Sequence, residues 1–433
     1  VLGAGNCAAF GDFSNDDPGL SEAPGTFQGR FLAVSDTDMT ATAYADGQLE
    51  PVAGNRDTMS LLVDGAVKTS VAASNSVISW PQIVDVSRDG QLAFVVETKG
   101  PAAPGVSAYD SVYTDFPTGR QLSIFSVNSN SLELRQEMTG IGENLQSVEY
   151  SEKCNCLFVA SETTDAELVV VALTQDGKTG QIRKFALAPP YASEDTEKRV
   201  RTMHISPDGS LLAVNVANQR IQFYEIFSDE TGLPDRVAAI GAPVEGLGRR
   251  LAVGKWTPDG QYFIITDVNW SDNTLFMLTQ GPGQLSAIRP PRNGKEAKIV
   301  SQVKVGRSPK GFGIRADGTR IATINMERTY LPGLPFLSVW QGRRAYSVSL
   351  LSLDTQSGAL SELDRIYQAG ILPEDVIFDK TGQNLAVAVF HRRKGADRER
   401  GFIDFFSIQE DRLRSQGVTQ AVPRGAHDLV SLP

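Results

Sequence analysis

The chain is poor in the residues that usually mark a reactive centre. It has 3 Cys and 3 His in 433 residues. Three cysteines build no disulfide framework, and an odd number leaves at least one thiol unpaired within the chain. Cys154-Asn155-Cys156 is too short a spacing for a zinc knuckle and has no second pair, so no metal is expected. No apolar run reaches the roughly 18–20 residues of a membrane-spanning helix. Basic residues are outnumbered, 41 against 51 acidic, and the net charge of −10 argues against a nucleic-acid binder. G-x-S-x-G, H-E-x-x-H and P-loop patterns are also missing. "SNDDPG" at Ser14 and "SDTD" at Ser35 are acidic, but neither has the spacing of an EF-hand, and both read as turn chemistry. No cofactor is expected.

Helical periodicity is nearly absent, and a repeat stands in its place. "IVDVSRDGQLAFVVE" begins at Ile83, "SVEYSEKCNCLFVAS" at Ser147 and "TMHISPDGSLLAVNV" at Thr202. "VGKWTPDGQYFIITD" follows at Val253, "GFGIRADGTRIATIN" at Gly311 and "DVIFDKTGQNLAVAV" at Asp375. The six copies recur every 50–65 residues or so. Each is an alternating strand, a turn built on Asp-Gly or a relative, and a β-branched strand. A third strand such as "RIQFYEIF" or "FIDFFSIQ" follows, then a turn and a fourth. Four antiparallel strands per unit, repeated about an axis, predict an all-β fold, a β-propeller.

The ends supply the blade count. "GAHDLVSLP" at 425–433 reads as a first strand cut off before its turn, and "GRFLAVSD" at 29–36 as a second strand without a first. Paired, they complete a seventh blade and remove two exposed edges. The propeller is therefore expected over 29–433 as a single domain, with 1–28 an irregular leader against its surface. The chain begins at Val1 rather than Met. Something upstream is expected to have been cleaved as an export signal or trimmed away. That tilts the reading toward a secreted or periplasmic protein over a cytoplasmic one.

The phrase "SPDGSLLAVNVANQRIQFYEI", followed by "SDETGLPDR", resembles the lactonase-type seven-bladed propellers. That group includes the bacterial 6-phosphogluconolactonase propellers and the fungal carboxymuconate-lactonizing enzymes. The turns "TGQI" at Thr179, "TGLP" at Thr231 and "SGAL" at Ser357 add to the resemblance. Strong lactonase members often carry Pro-Arg-His ahead of the Pro-Asp-Gly turn. The equivalent Val200-Arg201-Thr202 keeps the arginine and lacks the histidine.

In such a fold the start of each first strand and the second-to-third loops share one rim, opposite the Asp-Gly turns. Counting eight residues back from each turn glycine or its equivalent gives Gln82, Gln146, Arg201, Ala252, Lys310 and Glu374. The seventh copy gives Ala426, with His427 beside it. These residues are expected to ring the channel mouth, where they would either bind a ligand or hydrogen-bond one another and channel water. His204, inside an alternating strand, reads as a core residue.

Long second-to-third loops lie on the same rim. They carry Tyr109, Tyr113, Arg328, Tyr330, Trp340, Arg343, Arg344, His391, Arg392 and Arg393, and Arg249, Arg250 and Arg307 precede first strands. Arginine forks match carboxylate and phosphate, so a small anionic ligand is expected there. Pairing with local Asp and Glu is the plain alternative.

Two functions fit. One is an enzyme that hydrolyses or forms a small carboxylated lactone. Such a reaction needs a base, a cation for the developing oxyanion and a clamp for the substrate anion. Glu374 or His427 would be the base, and Arg201 and Lys310 the electrostatic stabilisers. Gln82, Gln146, Arg250, Arg307, Arg343, His391 and Arg392 would hold substrate. The other is a binding propeller whose rim loops hold a protein or glycan partner.

Overall fold

The computed structural model describes residues 20–43, 57–75, 80–103, 105–106, 115–187, 200–271, 280–331, 345–392 and 400–433. Their strands form seven antiparallel sheets. From the centre outward, blade one is Ala426–Leu432, Arg30–Ser35, Thr58–Val63 and Ala66–Ala72. Blade two spans 84–138, blade three 147–185, blade four 200–244, blade five 251–304, blade six 309–369 and blade seven 371–423, each with its strands in chain order. Each innermost strand touches the innermost strands of both neighbouring blades, so the seven close into a ring. Among the described residues no helix is long and apolar enough to cross a membrane.

Burial explains the strand patterns. Second strands lie between neighbouring blades and are covered on both faces, as in Cys156–Ala160 (CLFVA) and Leu211–Val216 (LLAVNV). They therefore read as continuous apolar runs. Outermost strands meet solvent and carry charge, as in Leu132–Met138 (LELRQEM). The first-to-second turns of blades two, four and five use one device, seen in blade four. Asp208 accepts from Ser206 Oγ at 2.6 Å and from the Ser210 N–H at 3.0 Å, and Gly209 takes the left-handed backbone at φ 65°.

The closure expected from the split repeat is present. Ala426–Leu432 pairs antiparallel with Arg30–Ser35, with Leu32 opposite Val430 and Ala33 opposite Leu429. At the front of the described chain, Ser21–Glu22 pairs in parallel with the outer strand Arg412–Pro423 of blade seven.

An innermost strand has no partner strand on its channel side, and side chains of the preceding blade take up part of that free edge. Asp428 of blade one accepts the N–H groups of Ile83 at 2.7 Å and Val84 at 3.2 Å, ahead of and within the first strand of blade two. Asp85 of blade two accepts from Tyr150 in blade three at 2.6 Å, and Glu149 of blade three from Ile205 in blade four at 2.8 Å. Asp375 of blade seven accepts from Leu429 in blade one at 3.2 Å. Blade one, the blade made from both termini, is thus clamped on both sides. Asp428→Ala would leave two buried N–H groups unsatisfied and is expected to cost roughly 2–4 kcal/mol. Asp428→Asn keeps an acceptor oxygen and should cost much less. Urea denaturation of the two variants checks this, and equal losses would contradict the clamp.

Candidate active site

Gln82 and Gln146 stand just ahead of regular inner strands, whereas the other residues of the ring lie where inner strands are irregular. The pairing register shifts between Val200 and Thr202, Leu251 and Gly254, Pro309 and Phe312, and Pro373 and Val376. It also shifts across the skipped residue between Ala426 and Asp428. Arg201, Ala252, Lys310, Glu374 and His427 sit in those bulges. A bulge re-aims a side chain out of the ladder, and such features gather beside active sites. His427 therefore takes the seventh position, and Ala426, the residue reached by counting, lies one step short of it.

Lys310 and Glu374, from adjacent blades six and seven, form an ion pair through Lys310 Nζ and Glu374 Oε2, and both side chains are fully covered. Glu374 Oε1 makes no hydrogen bond among the described residues. Burial pushes the Glu374 carboxyl up to about 7, against the opposing pull of Lys310. Burial also lowers Lys310, again opposed by its partner. The cation beside Glu374 is a lysine, and desolvation outweighs its pull.

Arg201 belongs to a second group. Its guanidinium lies 3.1 Å from Glu162 of blade three, and Gln146 Nε2 donates to the same carboxylate oxygen at 3.2 Å. Gln82 reaches toward blades four and five, with Nε2 3.0 Å from His204 Nδ1 and donating to the Gly254 carbonyl at 3.0 Å. His204 is buried, as expected, and burial holds its imidazole down at about 3. The His427 imidazole is buried, with Nδ1 3.0 Å from the Gly425 carbonyl.

The remaining expected ligand-holding residues are dispersed. Arg392 is turned into blade seven, where it pairs with Asp404 and donates to the Ala369 carbonyl at 2.6 Å, so it does not stand on the rim. His391 Nδ1 lies 2.8 Å from the Arg392 carbonyl. Arg307 faces Glu327 at 3.7 Å. The Arg250 N–H donates to Asp267 at 2.8 Å. Arg343, Tyr109, Tyr113, Trp340, Arg344 and Arg393 lie outside the described residues.

Trp80 was not singled out in the sequence. It arrives from the link between blades one and two, and its ring lies 5.6 Å from Lys310 Nζ. Its indole N–H donates to Asn218 Oδ1 of blade four at 2.8 Å, and its ring packs 6.1 Å from Trp270 of blade five. Trp270 packs 4.8 Å from Tyr330 of blade six. Trp80 thus lies over Lys310 of the ion pair, backed by aromatic groups from two further parts of the ring.

Further along the channel, Asp85, Glu149, His204, Asp375 and Asp428 all interact electrostatically with Lys255 of blade five. Phe312 of blade six lies 5.7 Å from its ammonium. All seven blades converge on this one cation. Among the described residues no group of three or more His, Cys, Asp or Glu side chains is placed to hold a metal ion. Burial raises Asp85 and Asp375 to about 6 and raises Glu149 and Asp428 well above the usual range.

A carboxyl raised on folding adds stability in its protonated form. For Asp85 and Asp375 that contribution is whole below about 4 and is lost as pH rises through about 6; for Glu374 it is lost through about 7. His204 acts in the opposite sense: its contribution is present above about 6.5 and is lost as pH falls toward about 3. At pH 5 the raised carboxyls outweigh the single histidine. The thermal midpoint is expected to be higher at pH 5 than at pH 8 by calorimetry, and the reverse order would contradict this reading.

No family model matches the chain, and a search of curated proteins finds no match. Solved structures do match. A candidate 6-phosphogluconolactonase from Bacteroides uniformis is 15% identical, with a TM-score of 0.59 over 93% of this chain and 99% of that one. The periplasmic gluconolactonase of Pseudomonas aeruginosa is 18% identical, with a TM-score of 0.58 over 93% and 100%. A functionally unknown protein from Desulfotomaculum acetoxidans gives 9% and 0.59 over 93% and 99%. At these identities the likeness carries the fold, a seven-bladed propeller, and not the activity or the substrate.

Proposed function

We propose that this chain is a lactonase-type enzyme that hydrolyses or forms a small carboxylated lactone at the mouth of its central channel. The observation that supports this most is the set of bulged inner strands, which bring Arg201, Lys310, Glu374 and His427 out of the ladder at equivalent places around one ring. Four polar or charged residues at equivalent bulges are more than packing requires.

In hydrolysis, water attacks the ring carbonyl carbon while Glu374 Oε1 takes its proton. Lys310 steadies the oxyanion as it forms. The ring C–O bond then breaks, and the departing alkoxide recovers the proton from Glu374. Lactone and water become one hydroxy acid. Formation is the same path reversed. A carboxyl near 7 suits both proton transfers. Arg201, already holding a carboxylate in Glu162, is the group suited to clamp the substrate anion, whether carboxylate or phosphate. Lys310 and Glu374 are fully covered, so turnover requires the aromatic cover around Trp80 to part.

The aromatic residues described at this rim turn inward: Trp80, Trp270 and Tyr330 are buried. Among the described residues the exposed large hydrophobics, Leu134, Ile182 and Tyr367, stand on outer strands instead. That favours a closed site over a broad docking surface. The Cys154–Cys156 disulfide favours an oxidising compartment. The test is a pH-stat assay of the protein on a panel of small carboxylated and phosphorylated lactones. Saturable hydrolysis of at least one is expected, and none above the buffer rate on any would overturn the proposal.

A further inference from the structure

Cys154 and Cys156 are joined by a disulfide across the first-to-second turn of blade three, with their Cα atoms 5.2 Å apart. The bond encloses a single residue. The entropic gain from a cross-link grows with the length of the loop it closes, so this one restrains the unfolded chain very little. Nor is it needed to shape the turn. The Asn155 N–H donates to the Glu152 carbonyl at 3.2 Å, and the Leu173 N–H to the Asn155 carbonyl at 2.8 Å. Asn155 Nδ2 donates to the Leu173 carbonyl at 3.0 Å, and the Tyr150 hydroxyl to Asn155 Oδ1 at 3.1 Å. The strands on either side stay paired, with Ser151 opposite Cys156. Blade four makes its turn with Ser206, Asp208 and Gly209 and no cystine.

The two sulfurs differ in access. Cys156 is fully buried in the second strand, whereas Cys154 is partly exposed in the turn. A reagent can therefore meet one sulfur, while the other is held behind it by backbone that does not depend on the bond.

We propose that Cys154–Cys156 is a thiol–disulfide exchange site that takes a dithiol, on the rim opposite the channel-mouth site. A thiolate of the dithiol attacks Cys154 Sγ, forming a mixed disulfide as the Cys154–Cys156 bond breaks. The Cys156 thiolate leaves and takes up a proton. The second thiol of the reagent attacks its own sulfur in the mixed disulfide, releasing Cys154 as a thiolate that is protonated in turn. Two electrons and two protons pass to the protein, and the dithiol leaves as a disulfide. Because the turn is held by Asn155, the reduced pair stays in register and closes again when an oxidised dithiol reverses the steps.

The test uses the full chain with Cys7→Ser, which leaves only this pair. The folded protein is equilibrated with reduced and oxidised dithiothreitol, quenched with an alkylating agent and weighed by mass spectrometry. Reduction without denaturant, followed by alkylation in denaturant at the quench, is expected to add two alkyl groups, with the thermal midpoint of the reduced protein moving by less than about 3 °C, and reoxidation to abolish them. A pair that opens only after the chain is unfolded would overturn the proposal. A second arm adds Cys156→Ser or Cys154→Ser and measures uptake of glutathione from its disulfide. Cys154 should react at least about tenfold faster than Cys156, as its access requires, and equal rates would also overturn it. The titration keeps both cysteines, so it stands even if a single-cysteine variant fails to fold.

Discussion

Deleting residues 425–433 lowers the thermal midpoint of the entire chain by about 10 °C or more. The deleted segment is the innermost strand of blade one, paired along its length with Arg30–Ser35. It buries Leu429 and Leu432, worth roughly 1.5–3 kcal/mol each on removal from water. It also carries Asp428, which clamps blade two, and receives the clamp from Asp375 of blade seven. Its loss exposes an unpaired edge on Arg30–Ser35 and opens the ring between blades seven and two. The combined loss is on the order of 5–10 kcal/mol, comparable to the whole stability of an ordinary domain. The effect should be global rather than local, because each blade is covered by its neighbours. Differential scanning calorimetry of the truncated chain checks it, and a transition at the wild-type temperature would contradict the closure.

Glu374→Gln leaves the fold in place and lowers turnover of an accepted lactone by roughly 10²–10⁴-fold. Glutamine keeps the shape of the buried side chain and removes the proton acceptor. It also leaves Lys310 without its counter-charge, so the neutral amine becomes the favoured form of a fully covered lysine. The pH profile separates a catalytic role from a structural one. Glu374 acts as base only when ionised, so wild-type kcat/KM should fall about tenfold per unit below its pKa of about 7. In Glu374→Gln the residual rate should lose that acid limb. Turnover near wild type would remove Glu374 from the mechanism and leave His427 as the base to test. A lost rate with an unchanged acid limb would show that another group titrates.

Much of the fold was legible because its signals are local. An Asp-Gly turn between two alternating strands can be seen in ten residues, and six copies fix the repeat. The ring position could be counted back from each turn glycine because the step from bulge to turn is constant, as in Arg201 to Gly209 and Lys310 to Gly318, although the first strands differ in length. The count slipped only in blade one, where 425–433 ends before any turn and offers no glycine to count from, so it reached Ala426 instead of His427. What each charge pairs with was not legible. Arg392 turns to Asp404 within its own blade and Arg201 to Glu162 of the preceding one, and nothing near either arginine in sequence distinguishes these choices. The channel carboxylates did leave a trace. Asp85, Glu149 and Asp375 stand in innermost strands, and a carboxylate there is a sign that it serves the free edge of the next blade.

The most direct test of the proposed site is where a stable substrate mimic binds. A carboxylated lactam has the ring shape of the lactone and resists hydrolysis, and its complex with the wild-type protein can be solved by crystallography. The account predicts the lactam at the channel mouth, its carbonyl toward Lys310, Glu374 Oε1 within hydrogen-bonding reach of the attacking position, its carboxylate toward Arg201, and the Trp80 ring displaced. A lactam found instead in the groove at the outer edge of blade seven, lined by Thr26, Asn384 and Gln416, with Trp80 still seated over the ion pair, would contradict it.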